Sequence, residues 1–178
     1  VFGVTGNRHI PEQVKAIAHV VKQAREAVGS IRLIAFGRGA KEAESELRRA
    51  LDGSGVDVTV LGILPTEEVS EILAKAHVHL FVRGGISSRR ATAISGIIHG
   101  LPIVGYTSEE TGFPITEAGV RLVPVGDADG LARELITVLK DKTMWWMLSE
   151  RSRKAARRYF SWDAIAERFL KVLRNEGR

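Results

Sequence analysis

Short apolar, β-branched runs alternate along this chain with longer stretches in which apolar positions recur every three or four residues. The first pattern is that of buried strands, the second that of helices laying one face on a sheet. Strands are predicted over residues 1–5, 31–36, 57–61, 77–82, 101–106 and 120–124. A helix is predicted over 11–28, where Val14, Ile17, Ala18 and Val21 share a face and Gly29 ends it. Others are predicted over 41–51 and over 67–76, the latter with Thr66 as N-cap ahead of Glu67 and Glu68. A further helix runs from the segment after residue 82 to His99-Gly100, a loop covers 107–118, and helices fill the chain beyond 124. Strand and helix in strict alternation predict an α/β domain with a parallel sheet.

Length and composition add little to that picture and exclude several others. The 178 residues, 44% hydrophobic and 26% charged, suit one globular domain over 1–178. With no cysteine there is no disulfide, thiolate metal site or cysteine nucleophile, which fits a reducing compartment, so a cytoplasmic location is expected. No apolar run approaches the roughly 20 residues that span a bilayer. The chain opens Val1-Phe2-Gly3-Val4, already in a strand pattern and without methionine, so a fragment of a longer protein is expected. The net charge of +5 draws on Arg151, Arg153, Lys154, Arg157 and Arg158, which recur at helical spacing. A solvated helix face is the first reading, and contact with an anionic membrane surface the second. Nucleic acid is not expected as a partner, because no recognition-helix or aromatic-interleaved basic pattern accompanies the charge.

The stretch carrying the most chemistry is Arg83-Gly84-Gly85-Ile86-Ser87-Ser88-Arg89-Arg90-Ala91-Thr92, which joins an apolar strand to a helix through glycines, hydroxyls and arginines. A helix beginning at Ser87 to Arg89 would offer unpaired N–H groups and the positive end of its dipole, with Arg89 and Arg90 in its first turn: an anion site. Parallel sheets bind ligands at the carboxyl ends of their strands, where Gly37, Gly39, Gly62, Gly84 and Gly85 fall. Gly37-Arg38-Gly39 lacks the third glycine of a dinucleotide fingerprint, so no NAD is expected. The histidines, at 9, 19, 77, 79 and 99, show no metal spacing; His99 reads as structural and His9 as the one nearest a ligand.

From Val1 through Trp162 the chain resembles the C-terminal, donor-binding half of family-4 retaining glycosyltransferases of the GT-B fold. The likeness rests on residues 33–39 with Gly37-Arg38-Gly39, on Gly62-Ile63-Leu64-Pro65, on His99-Gly100-Leu101-Pro102-Ile103-Val104 and on Phe160-Ser161-Trp162. It implies one half of a GT-B fold, a Rossmann-like doubly wound parallel sheet with C-terminal helices. It also implies sugar transfer from a nucleotide-diphosphate donor with retained configuration and without a metal or cofactor. The acceptor side would lie on an N-terminal GT-B domain of the same protein.

The family's two glutamates, spaced E-x7-E, fall here on Ser87 and Ser95, and serine can hydrogen-bond a sugar but carries no charge. Gly-x-Ser-x-Arg-Arg looks like a variant in which arginines take over diphosphate neutralisation. The resemblance thus implies Arg8, Gly85, Ser87, Ser88, Arg89 and Arg90 at the donor diphosphate. It implies Gly37, Arg38, Gly39, Ile63, Leu64, Thr92 and Ser95 at the nucleotide or ribose, Ile63 and Leu64 being equally suited to core packing. No residue is assigned as catalytic. Two alternatives follow from the missing carboxylates: a nucleotide-sugar-binding module without transferase activity and, ranked lower, a GT-B sugar-nucleotide epimerase.

Overall fold

The computed structural model describes residues 1–4 and 9–176, and these form an α/β domain in which every strand pairing is parallel. In chain order its elements are α1(Ile10–Val28), β1(Arg32–Ala35), α2(Glu44–Leu51), β2(Asp57–Val60), α3(Thr66–Lys75), β3(His79–Gly85), α4(Ala91–Ile98), β4(Ile103–Thr107), β5(Val120–Pro124), α5(Ala128–Lys140), α6(Lys142–Ala155) and α7(Trp162–Glu176). Strand β1 pairs with β2, and β3, β4 and β5 form a second sheet in that order.

Period-two alternation sorts the strand side chains onto two helical layers. Leu80 and Val82 of β3 and Val104 and Tyr106 of β4 join one core with α1 and α5. Phe81 and Ile103, one residue out of phase, join another with Ala93 and Ile97 of α4. Phe36, Leu73 and Leu101 gather a third under α3. Helices on both faces of parallel strands make this the doubly wound arrangement the sequence predicts.

Several boundaries differ from the sequence prediction, each for a local reason. Among the described residues the first strand is a single bridge from Phe2 to Phe36, because Gly3 turns to φ +82° and leaves the extended region; residue 5 of the predicted strand lies outside them. Helix α2 starts at Glu44 rather than 41, since Ala40 and Ala43 donate back to Gly37 and Gly39 in turns. Thr66 does not cap α3: extended Pro65 is the N-cap and Thr66 is already helical. Strand β4 starts at Ile103 because Leu101 N–H is spent on Gly96 O, closing α4, and Pro102 has no N–H to offer. A short 3-10 turn, Ile115–Glu117, interrupts the expected loop.

The largest difference falls in the motif itself. Strand β3 continues through Arg83 and Gly84 to Gly85, which pairs with Tyr106 after a bulge. Arg90 N–H then donates to Ser87 O, so residues 87–90 form a turn and α4 begins only at Ala91, with Arg90 as its N-cap. The two arginines therefore precede the helix instead of occupying its first turn.

Helix α6 is fastened to the turn before β4. Ser149 Oγ donates to Gly100 O, and Ser152 Oγ donates to Leu101 O while accepting from Gly119 N–H. A π-helical turn, Ala156–Phe160, leads into α7, whose apolar residues Trp162, Ile165, Phe169 and Leu173 are exposed. Of the three tryptophans, Trp145 packs against the core and donates to His77 O, whereas Trp146 and Trp162 are exposed. No helix among the described residues is long and apolar enough to cross a membrane.

Candidate functional site

Two cavities of similar size lie at opposite ends of the strands. One, of about 920 Å³, runs between the amino-terminal parts of β1 and β3 and is lined mainly by apolar side chains such as Ile31, Leu33, Val78 and Leu101. The other, of about 960 Å³, opens at the carboxyl ends of β3 and β4 between the start of α1 and the start of α5. Ligands of open parallel sheets bind at carboxyl ends, and the second cavity, lined by Arg83, Arg90 and Tyr106, is the one that opens there. It is the candidate site.

Its β3 wall is Val82, Arg83 and Gly84, its β4 wall Tyr106, and Arg90 enters from the cap of α4. Burial, reinforced by the positive charges of Arg90 and Arg38, pushes the Arg83 guanidinium pKa down. Arg83 Nε is buried without a hydrogen-bond partner among the described residues. The guanidinium itself rests on Gly3: a β-carbon there would stand 2.9 Å from Arg83 Nη1. Opposite lie the polar residues of α1 and α5. His19 Nε2 meets Asp129 Oδ1 at 2.6 Å, Gln23 joins them, and Asp127 caps α5 by accepting from Gly130 N–H at 2.7 Å. Hydrogen bonds from His19 and Gln23 hold the Asp129 carboxyl below its usual range. Tyr106 is pushed up by burial and then by the charge of Asp127.

Of the predicted diphosphate residues, Arg90 lines this cavity, whereas Arg89 is drawn aside into an exposed ion pair with Glu110. Gly85 is buried against Ser108, where a β-carbon would lie 2.1 Å from Ser108 Oγ. Ser87 is buried with its hydroxyl unpaired, and Ser88 is exposed. Arg8 lies outside the described residues. Of the predicted nucleotide residues, Gly37 and Gly39 form a positive-φ turn around Arg38, whose carbonyl accepts from Val4 N–H. Ser95 Oγ donates to Ala91 O, Thr92 is half-buried in the first turn of α4, and His99 Nδ1 lies 2.8 Å from Ser95 O as a helix-end contact. Leu64 packs on the core under α3, while Ile63 is 79% exposed.

The sequence reading named Arg83 only as the start of the motif and gave no site role to it, to His19 or to Asp129. Arg83 had a signal: an arginine that closes an apolar run and is followed by two glycines stands at the carboxyl end of a parallel strand. The pairing of His19 with Asp129 joins residues 110 apart and had none. Among the described residues no group of acidic, histidine or cysteine side chains has the geometry to hold a metal ion.

The family described as "Glycosyl transferases group 1" matches residues 1–141. The chain belongs to that family. Among curated proteins it is similar to a GDP-mannose-dependent monoacylated alpha-(1-6)-phosphatidylinositol monomannoside mannosyltransferase of Corynebacterium glutamicum, 26% identical over 93% of this chain and 43% of that protein. Among solved structures it is similar to sucrose-phosphate synthase from Thermosynechococcus elongatus, with a TM-score of 0.69 and 19% identity over 98% of this chain and 44% of the other. It is also similar to Anabaena HepE in complex with UDP, with a TM-score of 0.63 and 14% identity over 95% of this chain and 45% of that one. The group 1 chain thus spans less than half the length of each. Its fold is the Rossmann-like half of a GT-B glycosyltransferase, and the family match favours the transferase reading over that of an inactive binding module.

Proposed function

We propose that this group 1 domain binds the donor of a retaining, metal-independent family-4 glycosyltransferase, a nucleotide-diphospho-sugar. The observation that carries this reading is the convergence of Arg83 and Arg90, neither paired with a carboxylate among the described residues, on the cavity at the strand carboxyl ends. As the sugar–phosphate bond breaks, negative charge grows on the departing diphosphate. Guanidiniums and N–H groups fixed in advance stabilise that charge without reorganising, which is usually the largest catalytic contribution of such a site. Arg90 at the cap of α4 stands beside the N–H groups of Ala91 and Thr92, which by helix geometry have no intrahelical acceptor. Together they supply what a divalent cation supplies elsewhere, with Arg8, outside the described residues, as a further candidate. Ser87, buried with a free hydroxyl, faces the sugar in this reading, and Ser95 with Thr92 the ribose.

The acceptor would be held by an N-terminal GT-B domain of the same protein, whose surface would also cover the exposed apolar residues of α7. The basic residues from Arg151 to Arg158 are proposed to touch an anionic membrane surface from the cytoplasmic side. A thermal-shift panel of UDP, GDP, ADP and their sugars, run with and without EDTA, tests the donor reading. A diphosphate that raises the melting temperature equally in both series is expected, since a ligand of the folded state stabilises it by mass action. Stabilisation that disappears with EDTA would contradict metal independence.

A further inference from the structure

The sheet of this domain is split along its middle. Strand β1 pairs with β2 and β3 with β4, and among the described residues no strand pairing joins β1 to β3. The first cavity, of about 920 Å³, lies between them. Its walls are apolar on both sides of the sheet: Val21, Leu80 and Leu139 belong to the core of α1 and α5, Ile72 and Leu101 to the core under α3. Walls of that kind suit a strand that is apolar on both faces, as buried strands of parallel sheets are.

The backbone around the gap has the matching pattern. Asp57 N–H donates to Ile31 O and Leu61 N–H to Ala35 O, so the odd-numbered residues of β1 face β2, while Arg32 and Ile34 turn their N–H and C=O groups toward the gap. His79 N–H donates to Pro102 O, so Val78 and Leu80 do the same from β3. Two strand edges that face each other across an apolar gap leave polar groups to be satisfied, and a strand lying between them satisfies both rows. The end of such a strand is already in place. The Val1 nitrogen donates to Ile34 O at 2.8 Å, Phe36 N–H to Val1 O at 3.1 Å and Gly3 N–H to Phe36 O at 2.7 Å, a parallel ladder that sets Phe2 beside Phe36. Burial pushes the pKa of the Val1 amino group down to about 5, whereas a peptide N–H at the same place would carry no charge to desolvate.

We propose that the gap between β1 and β3 is a strand slot, and that its occupant is an extended apolar segment of the same polypeptide leading into Val1, which joins the two sheets into one. In the register already set, about three residues ahead of Val1 reach Arg32 and cover roughly 10 Å of the gap. The residue two places before Val1 donates to Arg32 O and accepts from Ile34 N–H, and its neighbours bond to β3. The slot also bears on the candidate site at the other end of the strands. The inserted strand ends at Gly3, whose bare backbone supports the Arg83 guanidinium, so the segment positions Arg83 without entering that cavity.

Three versions of the protein, carrying Ile-Val-Ile, Ile-Pro-Ile or Gly-Ser-Gly directly ahead of Val1, decide it by thermal unfolding and amide hydrogen exchange. Ile-Val-Ile should raise the melting temperature by at least about 5 °C over Gly-Ser-Gly, because it buries apolar side chains on both faces of the sheet. It should also slow exchange of the Ile34 and Leu80 amides at least about tenfold, at any protein concentration. Ile-Pro-Ile is comparably apolar, but its middle residue has no N–H for Arg32 O, so it should lose most of both effects. Equal stability and exchange in the Ile-Val-Ile and Gly-Ser-Gly versions overturns the proposal, because nothing then enters the gap. Equal behaviour of Ile-Val-Ile and Ile-Pro-Ile overturns it as well, since the gap then takes apolar bulk and not a strand. Protection that appears only as dimers form, seen by size-exclusion chromatography, also contradicts it, because the occupant is then a second copy.

Discussion

His79 is a buried histidine that the proposed function does not use, and it sets a pH limit on the fold. It lies inside the domain at 3% exposure, with neither ring nitrogen partnered among the described residues, packed where Gly96 leaves room under α4. Burial, with a smaller contribution from the Val1 amino group, pushes its pKa down to about 3. The folded state therefore holds a neutral ring while the unfolded chain titrates near 6.5, so stability is complete above that pH and is lost as pH falls toward 3. At about 1.4 kcal/mol per pH unit, roughly 2 kcal/mol should go between pH 6.5 and 5. That window lies above the range in which Glu44, Glu110 and Asp129, all with lowered pKa values, begin to lose their own contributions. Urea unfolding across it should show the slope in the native protein and a nearly flat profile in His79→Leu; parallel profiles would contradict the assignment. At this scale the entry of Arg90 into the cavity was legible, because a hydroxyl- and arginine-rich segment that follows a strand stands at the strand's carboxyl end. The seat of Arg83 on Gly3 was not, because the contact joins residues far apart in sequence and depends on a backbone angle.

Strand–helix alternation was legible because its cause is local: period-two and period-3.6 patterns are written in the segments themselves. The start of α4 was not, since the choice between helix and turn for residues 87–90 is made by Arg90 N–H reaching Ser87 O and by the bulge that carries β3 to Gly85. Nor was the docking of α6, which depends on Ser149 and Ser152 finding carbonyls of the turn before β4. That docking is tight at Gly119, where a β-carbon would stand 1.9 Å from Leu148 O, a backbone atom that cannot swing away. Gly119→Ala should therefore destabilise the domain by about 1–3 kcal/mol, the usual cost of overpacking, with diphosphate affinity intact once folded. Denaturant titration measures it, and wild-type stability would show that α6 can shift freely. Helix α7 is the converse case. With Trp162 at 85% exposure and Phe169 at 66%, it contributes little to this core, so removing residues 162–176 should move the melting temperature by less than about 4 °C. A larger drop would mean that α7 holds the domain together.

The whole molecule divides along its strands. Their amino-terminal parts border a mainly apolar cavity, while their carboxyl ends border one lined by Lys15, Arg83 and Arg90 beside Glu12, Asp127 and Asp129. That placement follows from doubly wound topology, which is why the position of the candidate site follows from element order while the contacts of its individual residues do not. The same topology makes Arg90→Ala informative. Losing one charge-assisted contact worth about 1.5–3 kcal/mol should weaken a nucleoside diphosphate roughly ten- to a hundredfold, with stability nearly unchanged, as calorimetry and thermal unfolding would report. Undiminished affinity would return Arg90 to the role of a simple helix cap. The central claim is that the donor's diphosphate lies at the strand carboxyl ends, and at 19.5 kDa the chain suits a direct test by amide NMR. Titration with the diphosphate that binds should shift the amides of Arg83, Gly84, Arg90, Ala91 and Thr92 and leave those of residues 31–34 and 77–80 in place. Shifts centred on 31–34 and 77–80, with the α4 cap silent, would contradict it.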